Sequence, residues 1–237
     1  MRRAFIGVVC GLKSEAAAAR AALRSLGRGS DRLAVGISGA NAARAEQIAR
    51  GYAAQGAAAL VSVGVSGGLA PHLEAGDLIL GERVRVADGR EFGCDPLLLE
   101  ALALEAEGLS GARAVLFGSD EIVATPRAKA ALFDRHGCVA VDMESHGVAR
   151  AAQAAGTPFA AIRAIADPAS RALPRAALNA VGPDGGTRVL PVLIECARRP
   201  SDFPALLRLG ADSEAALKSL RGGLDRLFRR LFLSLDL

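Results

Sequence analysis

Aromatic residues are scarce in this chain: its 237 residues include eight Phe, one Tyr and no Trp. Proteins that bind single-stranded nucleic acids stack bases on aromatic side chains, so the shortage argues against such a partner. The formal net charge of +4 is then better explained by a solvated basic surface. We therefore expect no nucleic-acid ligand.

Cysteine clusters and long apolar runs are also lacking. The four cysteines, at positions 10, 94, 138 and 196, form neither a C-x-x-C pair nor a zinc-finger spacing, so we expect reduced thiols and no metal site. No apolar run approaches the about 18 residues of a membrane-spanning helix. The opening MRRAFIGVVC resembles a secretory signal only superficially, because charges follow at Lys13 and Glu15 and no cleavage site is present. The sequence predicts a cytoplasmic protein, attached at most to the inner face of a membrane.

Hydrophobic residues, in contrast, make up 51% of the chain, as short apolar runs that alternate with alanine-rich stretches of helical length. The predicted strands are 4–10, 33–37, 57–63, 78–86, 112–117, 138–141 and 158–166. The predicted helices are 14–26, 42–54, 96–107, 126–136 and 143–155, the fourth capped by Thr125. This alternation predicts an α/β fold: a single domain over 1–237 with a mixed central sheet covered by helices on both sides.

Prolines become frequent beyond residue 167, and three helical segments are expected to follow. We assign 4–168 to the core and 169–237 to a helical C-terminal extension. Its last helix, predicted from 214 to about 235, carries a leucine stripe at spacings of three and four: Leu217, Leu220, Leu224, Leu227, Leu231 and Leu235. The stripe could pack on its own domain or on a second subunit. It could also contact an anionic membrane, because basic residues and two phenylalanines accompany it: Lys218, Arg221, Arg226, Arg229, Arg230, Phe228 and Phe232.

Four polar segments follow or flank predicted strands, at the edge where α/β sheets bind ligands. Residues 11–15 bring Glu15 to the start of a helix, where it could bind a ligand or only complement the helix dipole. Residues 63–69 are rich in glycine, which allows close approach of a ligand or an ordinary tight turn. This segment matches neither G-x-G-x-x-G nor a P-loop.

The other two segments carry further acids. Residues 141–145 place two acids beside Met143, which suits a polyhydroxylated ligand, although both acids could instead serve the following helix. Residues 163–168 begin with Arg163 and end with Asp167 before a proline, where aspartate is commonly a turn residue. Each segment alone leaves a purely structural role open.

Five motifs, in their order along the chain, resemble the purine nucleoside phosphorylase and methylthioadenosine/S-adenosylhomocysteine nucleosidase superfamily. They are G-L-K-S-E, S-x-G-x-S-G-G-L-A-P, F-G-S-D, V-D-M-E-S and I-R-A-I-A-D. The resemblance runs from about residue 4 to 168. The tail, with A-D-P-A-S-R-A-L-P, is similar to the hopanoid-associated branch, whose substrate is adenosylhopane. The resemblance implies a homo-oligomeric enzyme that cleaves the N-glycosidic bond of an adenine nucleoside without a metal or organic cofactor.

The resemblance also implies roles for individual residues. Asp167 matches the general acid that protonates the departing purine, and Glu15 the carboxylate that activates water. Glu144 matches the acid that holds the ribose hydroxyls, with Met143 packed on the sugar. The other implied substrate contacts are Ser66, Gly67, Ser119, Asp120, Ile122, Val123 and Arg163.

Two positions depart from the family pattern. The larger purine phosphorylases carry a phosphate-clamping arginine where this chain has Ser62, which favours water as the nucleophile because a phosphate dianion without guanidinium partners is poorly held. Phosphate as co-substrate stays open, since Lys13, Arg44 or Arg163 could supply the charge. Ile122 stands where nucleosidases often have a stacking phenylalanine.

Alternative functions also stay open. The chain could be a methylthioadenosine/S-adenosylhomocysteine nucleosidase, or a nucleoside-binding module without turnover. A dinucleotide-dependent oxidoreductase is disfavoured because the glycine fingerprint is missing. If the substrate carries a triterpenoid tail, the last helix and residues 203–209 could shelter that tail.

Overall fold

The computed structural model describes residues 4–25, 32–106, 113–178, 180–188 and 198–235, together with 192, 194 and 195. The strands are β1 (Phe5–Cys10), β2 (Leu33–Ile37), β3 (Ala57–Gly68), β4 (Leu78–Arg85), β5 (Glu91–Gly93), β6 (Arg113–Gly118), β7 (Ala140–Asp142) and β8 (Phe159–Asp167). The helices are α1 (Lys13–Ser25), α2 (Ala42–Ala54), α3 (Pro96–Ala106), α4 (Pro126–His136), α5 (Ser145–Ala155), α6 (Arg175–Leu178) and α7 (Phe203–Ser234). The predicted element ends at 26, 107 and 112 lie outside the described residues.

The strands form one mixed sheet with β3 and β8 near its centre. β1 pairs in parallel with β2 and β3, and β3 pairs in parallel with β8, whereas β4 runs antiparallel to β8. One hydrophobic cluster packs α1, α3 and α7 on one face, and a second packs α2 and α5 on the other. This arrangement confirms the predicted fold class.

The glycine-rich segment is a strand and not a turn. β3 continues through it to Gly68, because Gly64 pairs with Arg163 and Ser66 with Ile165 of β8. The register then shifts, and Gly67 pairs with Asp167. The prediction that the strand ends at 63 is therefore wrong: long-range pairing outweighs the local preference of glycine for turns.

Helix α4 has the predicted bounds, and its local signals explain them. The Thr125 hydroxyl accepts a hydrogen bond from the Ala128 N–H at 3.2 Å, and Pro126 occupies the first turn. Gly137, with φ +64°, ends the helix in the left-handed conformation that glycine tolerates best. The chain then continues into β7, which pairs in parallel with β6.

Helix α7 begins at Phe203, well before the predicted start at 214, after a short 3-10 turn at Pro200–Asp202. Its leucine stripe packs on the core of its own domain, where Leu220, Leu224 and Leu227 are buried together with α1, α3 and β8. The two phenylalanines of the membrane hypothesis pack there as well. The stripe is therefore unavailable to a membrane surface.

Some apolar surface of α7 stays exposed at its first two turns, where Phe203 is 52% and Leu207 60% exposed. Within the part of the chain that the structure describes, no helix combines the length and hydropathy that crossing a membrane would require. Cys10, Cys94 and Cys138 are free, buried thiols, whereas Cys196 lies outside the described residues.

Candidate active site

Residues 64–67 of β3 form the floor on which the predicted acids converge. A Cβ atom built on Gly64 would lie 2.7 Å from Arg163 Nη1 and 2.9 Å from Glu15 Oε1. A Cβ atom on Gly67 would lie 3.2 Å from Asp167 Oδ2. The glycines thus bring the backbone against Glu15 and Arg163 at one end of this short stretch and against Asp167 at the other.

Glu15 is held by three backbone amides. Its Oε2 accepts hydrogen bonds from the N–H groups of Gly11 and Leu12, both at 2.8 Å, and its Oε1 accepts one from Val65, also at 2.8 Å. Burial raises the pKa of Glu15, although these hydrogen bonds and the charge of Arg163 act in the opposite direction. The result is a fixed, buried carboxylate with increased proton affinity, as a general base requires.

Arg163 is fully buried among carboxylates. Its Nη2 donates to Ser62 Oγ at 2.7 Å and to Asp142 Oδ1 at 3.1 Å, and it lies 3.6 Å from Glu144 Oε2. Burial alone would lower the pKa of Arg163, but the neighbouring carboxylates outweigh it and raise the pKa. Nε and Nη1 of Arg163 have no hydrogen-bond partner among the described residues.

Asp142 joins the guanidinium to the start of α5. Its Oδ1 accepts from the backbone N–H groups of Glu144 at 2.9 Å and Ser145 at 2.7 Å, and its Oδ2 accepts from the Ser145 hydroxyl at 2.6 Å. Burial would raise the pKa of Asp142, but Arg163 and Ser145 leave it below its ordinary value. Asp142 therefore remains an anion that fixes Arg163, while Glu144 is the acid of this segment that faces the site.

Glu144 is buried next to Glu15, since a Cβ atom on Gly11 would collide with Glu144 Oε1 and lie 3.4 Å from Glu15 Oε2. Burial, opposed by Arg163 and reinforced by Glu15 and Asp142, raises the pKa of Glu144 from 4.5 to about 8. At neutral pH the Glu144 carboxyl group is therefore mostly protonated. A neutral carboxyl group can both donate and accept hydrogen bonds, which suits the hydroxyl groups of a sugar.

Asp167 forms an ion pair with a residue that the sequence analysis missed. Lys129 of α4 is fully buried and donates to Asp167 Oδ2 at 2.6 Å. Burial raises the pKa of Asp167 despite this positive charge. A signal for Lys129 exists in the sequence: it lies three and four residues before Leu132 and Phe133, on a helix face that contains apolar residues.

Three residues predicted near the substrate lie on this floor or beside it. The Ser66 hydroxyl is buried and has no hydrogen-bond partner among the described residues, and Gly67 lies against Asp167. Met143 is partly exposed between Asp142 and Glu144. These positions are compatible with contacts to a ligand above residues 64–67.

The predicted purine-binding segment lies farther out. The Ser119 hydroxyl donates to the carbonyl of Glu121 at 2.7 Å, so it closes a local turn. The Asp120 side chain is 80% exposed and lies 3.1 Å from Nε2 of the buried His146, a second residue that the sequence analysis missed. Ile122 is 46% exposed, whereas Val123 packs against a small apolar cluster. The Ser119 backbone N–H nevertheless donates to the carbonyl oxygen of Asp142 at 2.9 Å, which ties this segment to the edge of the carboxylate cluster.

The three cations considered as phosphate ligands all have other partners. Lys13 forms an ion pair with Asp184, and the Arg44 guanidinium donates to the carbonyl oxygen of Pro183. Arg163 is enclosed by carboxylates, and Ser62 accepts its hydrogen bond. A phosphate dianion in this site would face three buried carboxyl groups and one guanidinium.

Comparisons with known proteins identify a family and a fold. The model of the phosphorylase superfamily matches residues 25–193 of the chain. The futalosine hydrolase of Streptomyces coelicolor is 36% identical over a 126-residue alignment that covers 46% of this chain and 53% of that protein. The match thus spans about half the length of that curated relative.

Solved structures extend the match over nearly the whole chain. The futalosine hydrolase of Helicobacter pylori superimposes with a TM-score of 0.72 at 15% identity, over 95% of this chain and 97% of that one. The 5'-methylthioadenosine/S-adenosylhomocysteine nucleosidase of Neisseria meningitidis, in complex with methylthio-immucillin-A, superimposes with a TM-score of 0.71 at 18% identity, over 96% and 99%. At these identities the superpositions establish the fold alone.

Proposed function

Because this chain belongs to the phosphorylase superfamily, we propose that it is a hydrolase that cleaves the N-glycosidic bond of a purine nucleoside and releases adenine. The observation that carries the proposal is the convergence of Glu15, Glu144 and Asp167 around the glycine floor of β3. A base, a polar group for the sugar and an acid for the leaving group are then present in one site. No metal or organic cofactor takes part in the proposed reaction.

Glu15 is the proposed general base. Its carboxylate is fixed by three amides, and the unpartnered Nη1 of Arg163 lies on the same side of Gly64. A water molecule placed between them would donate a proton to Glu15 while its oxygen attacks the anomeric carbon. Glu144, mostly neutral at pH 7, would bind the ribose hydroxyls beside Met143.

Asp167 is the proposed general acid. As the bond between the anomeric carbon and the purine breaks, the electron pair passes to the purine, and the Asp167 carboxyl proton moves to N7. Burial raises the pKa of Asp167 above its ordinary value, which favours the protonated form that this step requires. After product release, solvent takes the proton from Glu15 and returns one to Asp167, so the net reaction consumes one water molecule.

Charge favours water over phosphate as the nucleophile. The Arg163 guanidinium is already paired with the Asp142 carboxylate and bonded to Ser62, so its positive charge is largely offset and would hold a dianion poorly. Lys13 and Arg44, the other cations considered, are bonded to the 183–184 loop. Phosphorolysis is therefore the alternative that the assay below has to exclude.

Adenosylhopane is the proposed substrate, supported by the tail motif and by an exposed apolar surface near the acid. Arg171, in the loop after Asp167, pairs with Asp212 of α7 at 3.1 Å. Leu207 lies one to two turns before Asp212, about 7.5 Å along the helix axis. The exposed side chains of Phe203 and Leu207 could therefore cover part of a hydrocarbon tail and could bring the enzyme to the inner face of a membrane.

A homo-oligomer is also proposed, from the family resemblance. The alternative substrates are methylthioadenosine, S-adenosylhomocysteine and, from the matched relatives, futalosine. A nucleoside-binding module without turnover remains the non-enzymatic alternative, against which the presence of base and acid together argues.

The decisive assay incubates the purified protein with adenosylhopane, methylthioadenosine, adenosine and futalosine, each with and without phosphate, and measures the free base. We expect release without phosphate and the highest rate with adenosylhopane. Strict dependence on phosphate would establish phosphorolysis, and no release from any nucleoside would favour the binding module.

A variant pair tests the acid. Asp167→Asn should lower the rate by about 10²- to 10⁴-fold at an unchanged fold. Asp134→Asn changes an exposed aspartate of α4 and is the matched control, with an unchanged rate. Full activity of Asp167→Asn would remove Asp167 from the mechanism.

A further inference from the structure

We propose that Lys129 is a positioning residue for the proton donor: it binds one carboxyl oxygen of Asp167, directs the transferable proton to the other oxygen, and stabilises the carboxylate that proton transfer leaves behind. This inference rests on the proposed function of Asp167 and extends it to α4.

The contacts of Lys129 go well beyond an ordinary ion pair. Its Nζ donates to Asp167 Oδ2 at 2.6 Å and also lies within hydrogen-bond distance of three backbone carbonyl oxygens: Asp167 at 2.9 Å, Pro168 at 2.9 Å and Arg171 at 3.1 Å. An ammonium group has three N–H donors, and these four oxygens occupy all of them. Lys129 therefore has no free N–H group with which to contact a substrate directly.

These contacts join the acid to the surrounding elements. Lys129 fixes the turn that follows β8, and the same turn is bonded to the loop before α4 through the Leu173 N–H and the Ala124 carbonyl at 2.8 Å. Arg171 connects the turn to Asp212 of α7. Asp167 is thus held at the meeting point of β8, α4 and α7. Lys129 binds its Oδ2, its Oδ1 makes no contact with Lys129, and both oxygens lie beside Gly67, at 3.2 Å (Oδ2) and 3.5 Å (Oδ1) from a Cβ atom built there.

The chemical consequence follows from the charge that develops. When the Asp167 O–H bond breaks and the N7–H bond forms, a buried neutral acid becomes a buried anion, which burial disfavours. The positive charge of Lys129, 2.6 Å away, lowers the free energy of that anion. Lys129 gives up no proton in this step, because the proton of Asp167 is the one transferred.

Lys129→Met tests the proposal, since it removes the charge and keeps an unbranched side chain. With a purine nucleoside we expect the rate to fall about 10- to 100-fold. Loss of the positive charge raises the pKa of Asp167 further, so the alkaline limb of the pH–rate profile should move up by about one to three pH units. Arg127→Met, an exposed cation of the same helix, is the control and should change neither.

A second substrate separates this role from a merely structural one. The leaving group of 4-nitrophenyl riboside needs no proton, so Lys129→Met and Asp167→Asn should both cleave it within about threefold of the wild-type rate. In an Asp167→Asn background, adding Lys129→Met should change purine release by less than about threefold.

The outcomes are distinguishable. If Asp167→Asn leaves purine release unchanged, the proposed function fails. If Asp167→Asn abolishes release but Lys129→Met slows both substrates equally without moving the alkaline limb, Lys129 is only structural and this inference is overturned. Lys129→Gln, which is also uncharged but keeps two donors for the carbonyl oxygens, gives the same test if Lys129→Met does not fold.

Discussion

Replacing Arg163 by Met removes the guanidinium whose charge acts on three buried carboxyl groups. In the native site its guanidinium lies 3.1 Å from Asp142 and 3.6 Å from Glu144, and its charge also acts on Glu15. Breaking a buried ion pair by deleting one partner costs about 3–5 kcal/mol, because the remaining charge has neither water nor a counterion. We therefore expect Arg163→Met to lose about this much free energy of unfolding at pH 8.

The loss should depend on pH in a definite direction. Without the guanidinium, the folded-state pKa values of the three acids rise, so the folded variant holds more protons than the unfolded chain at neutral and alkaline pH. Stability then decreases as pH rises, by about 1.4 kcal/mol per pH unit for each additional proton bound. Since burial already raises the pKa of Glu144 from 4.5 to about 8, the window extends from about pH 4.5 to beyond pH 8.

Urea unfolding at pH 5.5 and pH 8, followed by circular dichroism, measures this effect. Arg150→Met is the matched control, because Arg150 pairs with Glu46 at 2.8 Å but keeps 29% of its side chain exposed. That pair should contribute about 0–1 kcal/mol. Arg163→Lys keeps the charge without the planar fork and should lose less than Arg163→Met. Equal losses for Arg163→Met at both pH values, or a loss no larger than that of the control, would refute the electrostatic reasoning.

Three further predictions concern the site and the core. Gly64→Ala should lower activity at least about tenfold, because the new Cβ atom would lie 2.7 Å from the guanidinium of Arg163. Gly51→Ala is the control: a Cβ atom there meets no atom within 4 Å, so activity should stay unchanged and α2 should be stabilised by up to about 1 kcal/mol. Glu144→Gln removes this titration, so its free energy of unfolding relative to wild type should rise by about 1.4 kcal/mol per pH unit between about pH 4.5 and pH 8, where the wild-type carboxyl is protonated in the folded protein and ionised in the unfolded chain, and should level off above pH 8. A constant difference from pH 5 to pH 8 would contradict the pKa of about 8. Leu227→Ala should lower the free energy of unfolding, measured by chemical denaturation, by about 2–5 kcal/mol because Leu227 is 1% exposed. Leu233→Ala should lower it by less than about 0.5 kcal/mol because Leu233 is 65% exposed. Similar losses for the two variants would contradict the packing of α7.

The fold was predictable where local signals decide it. Thr125 and Pro126 set the start of α4, and the alternation of apolar and alanine-rich segments gave β2 and α2 their observed bounds. The extension of β3 to Gly68 depends on pairing with β8, nearly a hundred positions later in the chain, which no local pattern reveals. Local signals do not reveal the early start of α7, because Pro204 and Gly210 both have low helix propensity, although proline is tolerated in the first turn of a helix.

The site was predictable only in part. The motifs identified Glu15, Glu144 and Asp167 as candidates, but their order in the chain does not say how Arg163 is shared among the acids. The structure pairs one edge of that guanidinium with Asp142 and Glu144, a partnership that no local pattern in the sequence predicts. The sequence analysis missed Lys129 because helical periodicity places this position in the protein interior, where charged residues are rare.

The site draws on four stretches of chain: the start of α1, the glycines of β3, the beginning of α5 and the end of β8. Each stretch contributes only some of the residues of the site. In addition, α1 and β8 share a hydrophobic cluster with helix α7, which is distant in the chain. Turnover therefore reports cooperative assembly of the entire sheet. During refolding, regain of activity should coincide with the slowest phase of burial, so catalysis itself can serve as the most stringent probe of native structure.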